Sequence, residues 1–317
     1  MASRVGPGLD RESVPDMPPI GAQISTAGGF TPVPERALAI GAEVVQIFSS
    51  NPRTWRARPH DPEELAAFTA GLREHGLPLF LHTIYLLNLA SPDEELRRRS
   101  QEALCESLVM GELTGAAGVV THIGSHRGDG FRAALPRIRS AVQAAIDLAQ
   151  ESLAPTGAKQ TLPPLLLENG AGSGDTVGGR LDELAVLLAE LPPSCGLCLD
   201  TAHLFAAGYP VHTHSGLKQL VERLFRDGLL ERVSLIHLND SKTPFASGRD
   251  QHENPGEGYI GRSGLARVVR HPAFASIPLV LEVPGALGHG PDAANVALVK
   301  LMREGREGPP RPPVRDA

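Results

Sequence analysis

The chain has 317 residues, 41% of them apolar and 21% charged, which excludes a disordered polymer and leaves ample material for a core. Lys and Arg number 30 against 36 Asp and Glu, so the net charge of -6 argues against coating nucleic acid by bulk charge, though not against a local basic surface. No apolar run approaches the roughly 18 residues that span a bilayer, and the start lacks the apolar stretch of a secretory signal, so the expected location is cytoplasmic, not secreted and not membrane-bound.

Residues 1–17 read as a disordered tail. So does the Pro- and Arg-rich stretch 304–317, which leaves 18–303 as one domain. Within it, short apolar runs alternate with amphipathic segments. The predicted strands are 20–25, 44–48, 77–82, 118–124, 164–169, 196–201, 233–239 and 277–283. Their nearly continuous apolar character is that of parallel strands covered on both faces. Asp61-Pro62-Glu63-Glu64 supplies an N-cap, a proline at the first helical position and acids in the first turn, and Gly76 stops that helix. Ser91-Pro92-Asp93-Glu94 is expected to open the next helix in the same way. Leu181, Leu184, Leu188 and Leu191 form one helical stripe, and Leu217, Leu220 and Leu224 another. Eight strand–helix units in a row predict the α/β class and a single (β/α)₈ TIM barrel. A doubly wound sheet is disfavoured: no G-x-G-x-x-G follows the first strand, and GAGSG at 170–174 follows the fifth. Cys195-x-x-Cys198 falls in a buried strand pattern, without a second pair to complete a zinc ribbon, and is predicted to be structural.

Barrel enzymes carry their reacting groups at the C-terminal strand ends. Here those ends offer His82, His122, Glu168, Asp200, His237 and Glu282. Imidazoles and carboxylates without an interleaved Lys or Arg form the ligand set of zinc-like divalent ions rather than a salt-bridge network. Asp200-Thr201-Ala202-His203 sets a further ligand one turn past a strand end. Asp250-Gln251-His252 has period-two spacing, so both side chains can face one way. At three or four protein ligands per ion, these nine candidates suit two or three metals. His75, His271 and His289 read as structural, and His60, His212 and His214 as surface groups.

These residues stand in motifs that resemble the endonuclease IV family, the zinc-dependent apurinic/apyrimidinic endonucleases. The motifs are GAQIS-AGG (21–29), QIF-x-x-N-x-R-x-W (46–55), H-x-x-Y-L-x-N-L-A (82–90), H-x-G-S-H (122–126), LLLEN-x-AG-x-G (165–174), C-L-D-T-x-H-x-F-AAGY (198–209), H-L-N-D-S-K (237–242), GRDQH-x-x-x-GEG-x-IG (248–261) and LVLEVP (279–284). The resemblance implies three Zn²⁺ per chain, with Mn²⁺ an alternative at one site. His82, His122 and Glu168 would hold one ion. Glu168, Asp200, His237 and Glu282 would hold the second. His203, Asp250 and His252 would hold the third. Glu168, Asp200 and Glu282 are the implied catalytic carboxylates. The implied substrate of this monomer is double-stranded DNA with an abasic site, cut 5′ to the lesion to leave a 3′-hydroxyl, with removal of blocked 3′ ends as a second activity. Arg53, Thr54, Tyr85 and Leu86 are the implied DNA contacts. The chain departs from the commoner pattern at Gln23, where GAHVS-type members have His, at Thr54, where a Gln is usual, and at Thr83-Ile84.

The loops add a physical reason for DNA binding. Arg53, Arg56 and Arg58 flank Trp55, and Lys242, Arg249 and the His126-Arg127 pair sit on loops of the same predicted face, enough for a basic crescent. Two rivals remain at this level. A xylose-isomerase-like sugar isomerase or epimerase also gathers His, Asp and Glu around a divalent ion, but does not need the ligands at 203, 250 and 252. A non-catalytic DNA-binding scaffold does not need nine ligands. No lysine stands among the strand-end residues to form a Schiff base, which disfavours β-elimination.

Overall fold

The predicted strands close on themselves because each buries one face inward and the other against helices. The computed structural model describes residues 17–55, 61–154 and 161–306. In chain order the strands are β1 (Ile20–Gln23), β2 (Val45–Phe48), β3 (Leu79–His82), β4 (Gly118–Thr121), β5 (Leu165–Glu168), β6 (Gly196–Asp200) and β7 (Val233–His237). A short antiparallel pair, β8 (Asp240–Ser241) and β9 (His252–Glu253), precedes the last barrel strand β10 (Leu279–Leu281). The eight barrel strands form a closed parallel sheet in the order β1-β10-β7-β6-β5-β4-β3-β2. All eight predicted strands are present. The β8–β9 pair was not predicted, because two-residue strands leave no periodic signal.

The helices are α1 (Val33–Ala39), α2 (Pro62–Glu74), α3 (Glu94–Thr114), α4 (Phe131–Leu153), α5 (Leu181–Glu190), α6 (Thr201–Ala206), α7 (His214–Arg226), α8 (Gly261–Val269) and α9 (Ala293–Arg303). As predicted, Asp61 caps α2 by accepting the Glu63 N–H, and both leucine stripes are buried. The start of α3 differs from expectation. Ser91 is fully buried, its hydroxyl accepts the Asp93 N–H at 3.1 Å and its carbonyl is taken by Arg97. Asp93 instead caps the helix by accepting the Leu96 N–H. Among the described residues no helix is long and apolar enough to cross a membrane. The predicted tails lie almost wholly outside the described residues, as do Arg56, Arg58 and His60.

Two apolar clusters stabilise the barrel. The larger lies between strands and helices. The smaller is Val44, Phe80, Val120, Leu166, Cys198, Leu235 and Val280, one residue from each of seven strand segments, stacked inside the barrel. The eighth, β1, contributes Gly21. A Cβ there would fall 1.7 Å from the Val44 carbonyl oxygen, so only glycine lets β1 and β2 approach this closely. Glu43 ties the first barrel strand to the last helix. It receives Arg303 through both guanidinium nitrogens at 2.7 and 3.0 Å, Lys300 at 2.9 Å and the Ile20 N–H at 2.9 Å, so α9 is clamped to β1.

Candidate metal centre

Side chains alternate along a strand, so the residue two beyond each inner-layer apolar group also points into the barrel. Applied to the inner layer, this rule gives Gln46, His82, His122, Glu168, Asp200, His237 and Glu282, with Gln23 following Gly21. All eight strands therefore contribute a polar group to the C-terminal mouth. Strand register sets neighbouring members level or two residues apart: Gln23 pairs with Gln46 and Asp200 with His237, whereas His82 lies opposite Val120 and Glu168 opposite Cys198, two residues short of His122 and Asp200. Reading strand ends for acids and imidazoles alone passes over Gln23 and Gln46; the period-two rule would have found both.

Glu168 is the hub. Its Oε2 lies 3.2 Å from His82 Nε2 and 3.4 Å from His122 Nδ1, and its Oε1 lies 2.9 Å from His237 Nδ1. His237 Nδ1 is also 3.2 Å from Glu282 Oε2. Asp200 caps α6 by accepting the His203 N–H at 2.8 Å, which fixes His203 one turn beyond the strand. Asn239 donates to Asp200 Oδ2 at 2.7 Å and accepts the Glu282 N–H at 2.8 Å, so one amide orients two of the carboxylate-bearing residues.

Backbone carbonyls choose the tautomers. A carbonyl only accepts, so Nδ1–H of His82 donates to Thr83 O (2.8 Å), that of His203 to Asn169 O (2.9 Å) and that of His252 to Glu282 O (3.2 Å). Each ring then presents Nε2 to the cavity. The Nε2 atoms of His203 and His252 are buried and make no hydrogen bond. Yet Asp250 Oδ1 lies 3.0 and 3.3 Å from them, and Asp200 Oδ2 lies 3.5 Å from His252 Nε2. Lone pairs converging without a donor between them suit a cation.

Potential ligand atoms within 4.8 Å of one another form three groups: His82, His122 and Glu168; Glu168, Asp200, His237 and Glu282; and Asp200, His203 and His252. The first two coincide with the predicted sets. The third joins Asp200 to His203 and His252, and the expected Asp250, its side chain half exposed, brings Oδ1 to 3.0 and 3.3 Å of the same two imidazoles. The electrostatics are those of a site short of positive charge. Burial would lower His82, His203, His237 and His252, but Glu168 raises His82, Asp200 raises His203 well above the ordinary imidazole range, and Cys198, then Glu282 and Glu168, do the same for His237. His252 rises to about 9 against burial, chiefly through Asp200. Burial would raise Glu168 and Asp250, but the facing imidazoles hold both carboxyls well below their usual range. Within this cluster His122 alone among the imidazoles is lowered, by burial. Divalent cations can displace the protons that such a cluster otherwise gathers.

The predicted ligands, except the deeper Asp200 and His237, line a cavity of about 330 Å³ with Tyr85 on its wall. Tyr85 is 56% exposed and Leu86 37%, so neither is a core residue. The Tyr85 ring meets Phe48 edge-on at 5.1 Å, and its N–H donates to Pro52 O, joining the loops after β2 and β3. Burial and the acids Glu282, Glu168 and Asp250 push the Tyr85 hydroxyl up to about 12, with Arg53 opposing. Arg53 and Thr54 are exposed, as are Arg127, Lys242 and Arg249, while Trp55 is half-buried with the Arg99 guanidinium 4.5 Å over its ring. Thr83 is buried and donates to the Thr121 hydroxyl, so its departure from the pattern seals the β3–β4 junction rather than lining the cavity. His212 was predicted on the surface but is half-buried, its ring 5.1 Å from Phe205 and 5.7 Å from Phe245, because the 243–249 loop folds over α6. Asp240, within the H-L-N-D-S-K motif, was given no role from the sequence. Its carboxylate accepts from Ser241, Gly256, Gly258, Ile260 and Gly261, fastening the loop that carries Asp250 and His252.

A family model described as the xylose isomerase-like TIM barrel matches residues 34–304. A protein of Methanosphaerula palustris named "Probable endonuclease 4" is 38% identical over 287 residues, covering 89% of this chain and 97% of that relative. The crystal structure of endonuclease IV from Thermus thermophilus superposes with a TM-score of 0.78 at 35% identity, covering 91% of this chain and all of that one. A D-tagatose 3-epimerase-like protein superposes at 0.65 but is only 15% identical over 90% of this chain and 96% of that one, a likeness of fold alone.

Proposed function

The chain belongs to the endonuclease IV family, DNA-cleaving hydrolases on the xylose isomerase-like barrel, and from that premise we propose that it is an apurinic/apyrimidinic endonuclease of DNA repair that works with three zinc ions. The observation that carries this reading is the set of three ligand groups sharing Glu168 and Asp200 at the barrel mouth. His82, His122 and Glu168 would hold one ion, and Glu168, Asp200, His237 and Glu282 a second. His203 and His252 would hold the third with Asp250, and Asp200 lies alongside. When bound, such ions neutralise phosphoryl oxygens, ease proton loss from water and stabilise the leaving alkoxide; Mn²⁺ can serve at one position.

The protein's own groups do the rest. Glu168, Asp200 and Glu282 are the catalytic carboxylates, and Glu282, which lines the cavity wall, would take a proton from the attacking water. A phosphodiester inside a duplex cannot reach a site sunk in a barrel, so the abasic nucleotide must turn outward, at a cost that a missing base lowers. Tyr85 and Leu86 fill the gap it leaves, and Arg53 and Thr54 hold the backbone beside it. Hydrolysis 5′ to the abasic residue leaves a 3′-hydroxyl upstream and a phosphate on the abasic side. The same centre removes blocking groups from 3′ ends. The enzyme acts as a monomer, on DNA in the cytoplasm.

An abasic duplex incubated with the protein, with and without a chelator, tests this reading. The expected result is chelator-sensitive incision, an upstream strand that a polymerase extends, about three zinc per chain by the ligand count and no borohydride-trapped adduct. A trapped adduct would place the protein among lyases. Retention of uncut DNA by the metal-loaded protein would make it a binding scaffold.

A further inference from the structure

Gln46 is fully buried on β2, and each of its polar atoms meets one of the polar groups of the mouth. Its Nε2 lies 2.7 Å from Glu282 Oε1 and 2.9 Å from Gln23 Oε1, and its Oε1 lies 2.9 Å from His237 Nε2. The direction of this chain of bonds follows from chemistry. A carboxylate only accepts, so the NH₂ end of Gln46 faces Glu282. Its second hydrogen goes to Gln23, whose position across the β1–β2 pairing is fixed by strand register. The Gln46 oxygen is then the atom left for His237. An amide oxygen also only accepts, so His237 carries its proton on Nε2. That leaves Nδ1 toward Glu168 Oε1 and Glu282 Oε2, at 2.9 and 3.2 Å. This is the reverse of His82, His203 and His252, whose Nδ1 donates to a carbonyl and whose Nε2 faces the cavity.

We infer that Gln46, braced by Gln23, is a positioning residue that fixes His237 as its Nε2-protonated tautomer and aims Nδ1 and the Glu282 carboxylate at one metal position. The inference rests on the metal reading above and concerns a single site within it. Loss of an outer hydrogen-bond partner of a ligand typically weakens metal binding on the order of 10–100-fold. Gln46→Leu keeps much of the side-chain bulk but strands the His237 Nε2–H and frees Glu282. Gln46→Glu retains an acceptor for His237. Gln23→Leu removes only the brace, from a half-buried strand end.

The experiment uses zinc-loaded full-length protein with ¹⁵N-labelled histidine. Side-chain nitrogen spectra report the tautomers, and timed chelator challenge reports zinc retention. The wild type is expected to show His237 with Nε2–H, and Gln46→Leu is expected to lose one zinc class on the order of 10–100-fold more readily while the other zinc is retained as before. Gln46→Glu should keep the wild-type tautomer, and Gln23→Leu should show a smaller loss in the same class, a variant that remains informative if Gln46→Leu does not fold. A proton on Nδ1 of His237 in the zinc-loaded wild type overturns the inference without recourse to any variant. So does wild-type zinc retention with an unchanged His237 spectrum in Gln46→Leu. A wild-type protein that takes up no zinc overturns the metal reading and this inference together.

Discussion

Glu168→Gln tests the core of the proposed mechanism with little change in volume, so it opens no cavity. The two carboxylate oxygens serve different groups: Oε2 faces His82 and His122 at 3.2 and 3.4 Å, and Oε1 faces His237 at 2.9 Å. Whichever way the amide turns, one of these groups meets an NH₂ where it had an anionic oxygen, so at least one metal position is lost. A metal acting as Lewis acid contributes several kcal/mol of transition-state stabilisation. Losing about 4–6 kcal/mol slows the chemical step roughly 10³–10⁴-fold. The assay is single-turnover incision of an abasic duplex, with metal content and DNA affinity measured on the same preparation. Affinity should hold or rise, because a negative charge leaves the DNA-facing mouth. Incision within about tenfold of wild type would refute a hub role for Glu168, since that corresponds to only about 1.4 kcal/mol.

Asp240→Ala strands five backbone N–H groups, some of which water can reach; a loss of about 3–5 kcal/mol in denaturant unfolding is expected, and under about 1 kcal/mol would show that the 250–261 loop does not depend on that carboxylate. Arg53→Ala with Tyr85→Ala should cost about 2 kcal/mol, roughly thirtyfold, in affinity for abasic duplex with zinc content unchanged; wild-type affinity with metals retained would mean that these loops do not read the lesion. Glu43 would be raised by burial, but Arg303, the Ile20 N–H and Lys300 hold it at about 2. A depressed carboxyl stabilises the fold above its ordinary value of 4.5, and that contribution is lost as pH falls from 4.5 toward 2. Glu43→Gln should therefore cost about 1–2 kcal/mol at pH 7 after allowance for solvent screening, with the gap to wild type closing across that window; a gap independent of pH would discount the clamp on α9.

The barrel was legible because its strands are buried on both faces, and burial on both faces leaves continuous apolar runs that a local reading detects. Six members of the polar layer were legible for a related reason: an acid or imidazole ending such a run, as at His82, Glu168 or Asp200, has no part in an apolar core and must face the mouth. The asparagines, glutamines and aspartates that orient them carry no such mark. Gln46 reads as an ordinary strand residue until barrel closure brings β10 and β7 within reach, since its partners Glu282 and His237 lie 236 and 191 residues away. Asp240 looks like one more loop acid until the 256–261 segment wraps around it. His212 reads as a surface imidazole until the 243–249 loop covers it. The sequence by itself therefore determined which residues reach the barrel mouth, since two-residue alternation within a strand is a local rule. Only the tertiary structure decided which nitrogen each imidazole presents and how the carboxylates divide among the groups, because both depend on hydrogen-bond partners that closure of the barrel brings together from distant strands.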